Sequence, residues 1–286
     1  MASPQIDSQT VAKIEKLLDL EYTSHVPASS KPVGHILGGA PASGKSTLIQ
    51  RILSENEGHR FVLINGDELR RYHPAFSSLN NLDDRKAADA TQGFANALAS
   101  YLQHHCIKYR KSFIIEGTMR NSTVPCATAE LLRKNSFRSE AHIIAAPFEI
   151  TSLRAFKRYL QGVRLHGHGR FSNLEVQKEA YEKLAASAEK VSAVVDVSHV
   201  YKLDATSLVG SFSNGSHISS IIQGLQAPLQ GDERKNIALE WATVHAEMQA
   251  INRYDPFPVN QIRTLLDGLS DSDPVLRAVK EKGIHI

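Results

Sequence analysis

Residues 39–46 read Gly-Ala-Pro-Ala-Ser-Gly-Lys-Ser, a spacing that suits a Walker A phosphate loop. Glycines let the backbone turn tightly so that successive N–H groups point at phosphate oxygens, and a helix starting just after them adds partial positive charge. Lys45 is placed to reach the β and γ phosphates, and Ser46 puts a hydroxyl where it can ligate a magnesium ion bridging them. The expected nucleotide cradle, for ATP with Mg2+, is therefore Gly39, Ala40, Pro41, Ala42, Ser43, Gly44, Lys45, Ser46 and Thr47.

Two carboxylates stand where an acceptor would meet that cradle. Asp67 follows Ile64-Asn65-Gly66; a carboxylate there can take the proton of a hydroxyl attacking the γ-phosphate, a role worth about 10²- to 10⁴-fold in rate. Asp67 can equally cap the helix opened by Glu68-Leu69-Arg70-Arg71. Glu116-Gly117-Thr118-Met119-Arg120 gathers a carboxylate, a hydroxyl and a guanidinium, the groups needed to orient a sugar or polyol, although a polar turn would read the same way. Further on, Leu153-Arg154-Ala155-Phe156-Lys157-Arg158-Tyr159, Arg164 and Gly167-His168-Gly169-Arg170 concentrate cations. Arginines on a mobile segment could stabilise charge on a transferring phosphoryl group, with the glycines permitting movement; a solvated basic helix is the plainer alternative. His166 and His168 have no third ligand near in sequence and read as loop residues rather than a metal site.

The elements that must position these groups follow from the apolar pattern. Val11, Ile14, Leu17 and Leu18 make one helical face, and Ser24–Pro32, with its prolines and serines, reads as a connector. Strands are expected at Val33–Leu37, Phe61–Ile64, Phe113–Ile115, His142–Ala146 and His199–Leu203, separated by long helical patterns. Strand alternating with helix implies an α/β fold with a parallel sheet covered on both faces, since a parallel crossover needs a dozen or more residues. Val200–Phe212 reads as a hairpin closing one sheet edge, and Ser211–Ser216 as loop. The expected organisation is an N-terminal helix and connector over residues 1–32, a P-loop core over 33–217, and a helical C-terminal extension over 218–286 packed on the core.

The bulk properties exclude several other classes. In 286 residues, 33 Lys+Arg against 30 Asp+Glu leave a formal charge of +3, too balanced for the clustered basic face that binds nucleic acid. Cys106 and Cys126 are too few for a disulfide framework and lack metal-ligand spacing, which favours a reducing compartment, with the cytoplasm the expectation. No apolar leader and no run of about 18 apolar residues is present, so no membrane association is expected.

Taken together and in order, GGAPASGKS, NGDELRRYHPAF, IIEGTMRNSTVP, KRY and a following GR-containing loop resemble the zeta toxin family. The most specific parts are Asp67 with His73 and Pro74, and Glu116 to Arg120; the likeness covers roughly residues 33 to 205. It implies a kinase-like fold and an ATP-dependent toxin that phosphorylates the 3′-hydroxyl of the amino sugar in UDP-N-acetylglucosamine, blocks cell-wall precursor synthesis, and is silenced by a small antitoxin protein. Residue by residue, it implies phosphate binding by Lys45, proton abstraction by Asp67, contacts to the UDP-sugar by Glu116, Thr118 and Arg120, and a grip on phosphates by Arg158 and Arg170. Two places depart from the family pattern. Arg170 sits in Gly-Arg-Phe-Ser-Asn rather than Ala-Arg-Ala-Thr-Pro, and Asn96 stands where the family places a glutamate facing the sugar. An amide donates as well as accepts, so another UDP-activated amino sugar or a relaxed specificity enters the reading. The 32 residues before the first strand are too few for a fused inhibitory domain, so inhibition in trans is expected. The alternatives are a P-loop kinase acting on another alcohol, such as an antibiotic or a metabolite, and a nucleotide-dependent switch whose helical tail binds a partner.

Overall fold

Short β-branched and aromatic runs, alternating with amphipathic stretches, fold as a six-stranded sheet in the computed structural model, which describes residues 6–205, 207–213, 217–253 and 255–285. Helix α1 (Ser8–Leu18) starts at Asp7, whose carboxylate accepts from the Thr10 amide, and continues through a wider π-type turn over Asp19–Thr23. The core then runs β1 (Val33–Gly39), α2 (Lys45–Glu55), β2 (Val62–Asn65), α3 (Gly66–Leu69), α4 (Phe76–Leu82), α5 (Asp84–Lys108), β3 (Phe113–Glu116), α6 (Thr123–Lys134), β4 (Arg138–Ile144), α7 (Phe148–His166), α8 (Leu174–Ser192), β5 (Val197–Tyr201) and β6 (Leu208–Phe212). Helices α9 (Ser219–Leu225), α10 (Gly231–Ala250), α11 (Phe257–Leu266) and α12 (Pro274–Glu281) complete it.

The strand order is β2-β3-β1-β4-β5-β6, parallel except for β6, which pairs antiparallel with β5. The expected α/β class and closing hairpin are therefore present; of the expected loop Ser211–Ser216, Ser211 and Phe212 instead belong to β6, paired with His199 and Ser198, and residues 214–216 lie outside the described residues. Two strands are displaced from their expected places: the fifth spans Val197–Tyr201 rather than His199–Leu203, because Leu203 already turns into a short 3-10 segment, and the fourth spans Arg138–Ile144 rather than His142–Ala146. Its first half alternates Arg138 and Glu140 with buried Ser139 and Ala141, a two-residue period that a search for unbroken apolar runs misses. Ala145 and Ala146 instead lead into Pro147, the cap residue just before α7.

Alternation sorts the side chains into two layers. Ile36, Ala141, Ile143 and Val200 face a core built with Leu98 and Leu102 of α5, Leu132 of α6 and Leu184 and Val191 of α8. Leu37, Ile114, Ile144 and Tyr201 face the other way, onto Leu48 and Ile52 of α2. A separate apolar cluster ties α7 to α10, α11 and α12, with Phe156 stacked on Phe257 at 5.6 Å between centroids and Trp241 edge-on to both at 5.3 and 5.5 Å. Among the described residues no helix is long and apolar enough to cross a membrane.

Because Trp241 is fully buried at the centre of the cluster that seats α7, Trp241→Ala is expected to cost about 3–5 kcal/mol. Urea unfolding followed by far-UV circular dichroism measures this, and a loss under about 1 kcal/mol would show that the cluster does not hold α7.

Candidate active site

The carboxyl ends of β1, β2 and β3 lie side by side, so the chain leaving each strand reaches one rim of the sheet, where ligands of open parallel sheets bind. After β1 the phosphate loop turns at Gly44, which caps α2 with φ 101°. A Cβ there would lie 2.6 Å from Asp204 Cα and 2.9 Å from Asp204 N, so only glycine fits both the left-handed conformation and the close neighbour. Asp204 itself donates its amide to the Ser43 carbonyl at 3.1 Å, and its carboxylate accepts from Arg154 at 2.6 Å. Lys45 is buried and donates to the Gly39 and Ala40 carbonyls at 3.0 and 2.9 Å. Glu116 Oε1 lies 3.9 Å from its ammonium. Burial pushes Lys45 down to about 8, opposed by Glu116 and reinforced by Arg170 and Arg158. Ser46 and Thr47 are exposed on the first turn of α2, and a hydroxyl there is a hard oxygen donor of the kind magnesium takes.

β2 delivers Asp67. Asn65 pairs in register with Glu116 of β3, gives it an amide hydrogen bond of 2.9 Å, and with its own oxygen accepts the Asp67 amide at 3.0 Å. Asn65, not Asp67, caps α3, which leaves the Asp67 carboxylate free for other partners. Arg70 donates from Nε to Asp67 Oδ1 at 3.0 Å, from Nη1 to Thr91 Oγ1 at 3.1 Å and the Ala88 carbonyl, and from Nη2 to Gln92 Oε1 at 2.5 Å. Arg170 forms an ion pair with the other oxygen, Asp67 Oδ2. The Asp67 carboxylate thus lies between two guanidiniums and is still about one-third exposed.

The cationic side comes from α7 and the chain after it. Arg158 is largely withdrawn from water, donates to Ser172 Oγ at 3.3 Å and keeps Nε buried without a partner. Burial lowers the pKa of both Arg158 and Arg170, yet a guanidinium stays charged. Gly167 ends α7 in the left-handed conformation, and a Cβ at Gly169 would come within 2.3 Å of the Tyr159 carbonyl oxygen. The glycines expected to permit movement therefore serve a turn and a close approach. Gly169 also donates its amide to buried Asp84, which Arg253 holds by an ion pair of 2.9 Å.

Of the residues predicted from sequence, Lys45, Asp67, Glu116, Arg158 and Arg170 gather around the loop. Thr118 follows β3, its hydroxyl accepting from the Arg120 amide at 3.3 Å. Arg120 turns to Glu179 of α8, 3.4 Å away. Asn96 is exposed on α5 and accepts from Gln92 at 2.7 Å. His168 lies 2.7 Å from the Asn80 amide nitrogen. Sequence reasoning passed over Arg70, Asn65 and Asp204. For Arg70 the signal was its place three residues after Asp67 on a helical turn, and for Asn65 it was an N-cap residue type just before Gly66 and Asp67; Asp204 carried none, since its partners Ser43 and Arg154 are distant in the chain.

Comparison with known proteins gives the family and the fold. The Zeta toxin family profile matches residues 19–212. Toxin PezT of Streptococcus pneumoniae serotype 4 is 26% identical over 224 residues, covering 77% of this chain and 84% of that protein. Toxin zeta of Streptococcus agalactiae is 27% identical over 153 residues, about half the length of each protein, at 54% and 53%. Among solved structures, one from the PezAT chromosomal toxin-antitoxin system of Streptococcus pneumoniae superposes with a TM-score of 0.72 at 20% identity, covering 89% of this chain and 100% of that one. The AvrRxo1-ORF1:AvrRxo1-ORF2 complex with ATP gives a TM-score of 0.55 at 14% identity, covering 100% and 97%. With a profile spanning more than half its length, the chain belongs to the zeta toxin family of kinase-like toxins.

Proposed function

We propose that this protein is an ATP-dependent kinase of a UDP-activated amino sugar, UDP-N-acetylglucosamine with its 3′-hydroxyl as acceptor, acting as a toxin held in check by a small antitoxin in trans. The observation that carries the reading is the Asp67 carboxylate, projecting from the rim beside a phosphate loop and ringed by cations. Asp67 takes the proton of the acceptor hydroxyl as its oxygen attacks the γ-phosphorus in line. For this, Oδ2 passes from Arg170 to the hydroxyl while Arg70 keeps Oδ1 fixed. Lys45, Arg158 and the released Arg170 then meet charge that grows on the transferring group. Ser46 would hold magnesium, which would supply charge neutralisation for the transferring phosphates. Glu116, Thr118 and Arg120 are proposed to orient the sugar. The antitoxin proposal leans on the PezAT toxin-antitoxin system in which a structural relative is described.

A second reading, another alcohol as acceptor, is favoured by Asn96 and by Arg120, which turns to Glu179 rather than to the rim. Mass spectrometry after incubation with ATP, magnesium and a panel of UDP-sugars and non-nucleotide alcohols separates the two. A mono-phosphorylated UDP-N-acetylglucosamine is expected, and turnover of only non-nucleotide acceptors would replace the first reading with the second. Asp67→Asn is expected to lose at least about 10²-fold in turnover while keeping ATP affinity; retained turnover removes Asp67 as the base.

Lys45 supplies a pH test. A bound triphosphate favours the ammonium, so above pH 8, where free Lys45 is losing its proton, ATP binding must take one up. ATP affinity is therefore expected to fall by up to about tenfold per pH unit above that value and to level off below it. At pH 9 the calorimetric heat of binding should vary with the ionisation heat of the buffer. A heat independent of buffer at pH 9 would overturn the role of Lys45.

A further inference from the structure

Away from the phosphate loop, on the sheet face covered by α2, β1 and β4 bring imidazoles and a carboxylate together. His35 lies opposite Glu140 in register, and His142 lies opposite Leu37, the next residue on that face of β1. His35 Nδ1 is 3.0 Å from His142 Nε2 and 3.6 Å from Glu140 Oε2, and His142 Nε2 is 3.8 Å from the same oxygen. A tetrahedral ion with bonds of about 2.0–2.1 Å places neighbouring ligand atoms roughly 3.3 Å apart, a value these separations bracket. The geometry points to a divalent transition-metal site, with Zn2+ as the fitting occupant, built from His35 Nδ1, His142 Nε2 and Glu140 Oε2 and leaving a fourth position for water. It shares no residue with the proposed kinase site and stands or falls separately from it.

The surroundings suit this role. Burial pushes His35 down to about 4 and His142 well below its ordinary value, so both rings are neutral near pH 7 and keep lone pairs for an ion. Glu140 is held at about 2, chiefly by the adjacent His199 and further by His35, Arg138 and His142. Outer contacts orient the ligands, as they do around bound metals. His142 Nδ1 lies 3.2 Å from the Tyr201 hydroxyl, and His199 Nε2 lies 3.5 Å from Glu140 Oε2 while its Nδ1 meets Ser211 at 2.8 Å. Arg138 occupies only the other oxygen, Glu140 Oε1, at 2.6 Å. Two buried imidazoles facing nitrogen to nitrogen oblige one of them to donate; an ion would accept from both. It would also clamp β1 to β4 near the middle of their shared ladder.

The test uses untagged full-length protein, freed of metal by a chelator and dialysed, then titrated with Zn2+ against a chromophoric chelator and with Co2+ for its visible spectrum. One equivalent is expected to bind, with Co2+ giving the intense bands of a low-coordinate nitrogen and oxygen site and Zn2+ raising the Tm. Glu140→Gln and His142→Gln should each weaken binding at least tenfold, as should His35→Gln if either variant fails to fold, whereas His168→Ala should bind as the parent does. No stoichiometric binding, or binding unchanged in the folded ligand variants, would leave a buried polar network only and overturn the site.

Discussion

The site depends on how one buried ammonium is satisfied. Lys45 is withdrawn from water at the start of α2, where an unpaired charge would be intolerable, and it survives by donating to two carbonyls of its own loop with Glu116 close by. Those carbonyls belong to Gly39 and Ala40, so Lys45 closes the phosphate loop upon itself. Glu116 is in turn fixed by Asn65, and Asn65 by the Asp67 amide. A continuous run of polar contacts thus joins the loop after β1 to the acid after β2 through the end of β3. Breaking one contact in such a buried network leaves others unsatisfied.

Arg70 extends that run into the helical layer. Its guanidinium spends its donors on Asp67, Thr91, Gln92 and the Ala88 carbonyl, anchoring the acid to α5. A planar fork with five donors can hold this arrangement, and a lysine could not. The excess of cations around Asp67 and Glu116 is a standing preference for further negative charge, which phosphates would supply. On the far side, the aromatic cluster of Phe156, Trp241 and Phe257 seats α7 and with it Arg158. The Asp84–Arg253 pair and close packing at Gly169 then set the backbone that carries Arg170. The C-terminal helices therefore bear on the site through the packing of α7 and through the Arg253 ion pair.

How much of this was legible in the chain varies with the range of the interaction. The phosphate loop is local, its residue types dictated by backbone turns and a helix start within a few positions, and it is found where its spacing placed it. The order of strands and helices followed from apolar runs and their lengths, while the bounds shifted most at β4, where one face is polar because it carries Glu140 and His142. Asp67 was readable as either a cap or a base; the structure gives the cap to Asn65 and leaves the acid for ion pairs.

The sequence by itself determined the α/β class, the phosphate loop and the rim carrying the acid, because these follow from hydrophobic period and from contacts between near neighbours in the chain. Only the tertiary structure decided which partners each charge acquired: Arg170 on Asp67, Arg120 on Glu179 and Arg154 on Asp204. It alone brought His35 beside His142, across 107 positions of chain. The reason is physical. A charge or an imidazole is paired by whatever the crossing of strands puts within a few ångströms, and strand order and register are set by burial of the whole sheet, which no short window of sequence contains.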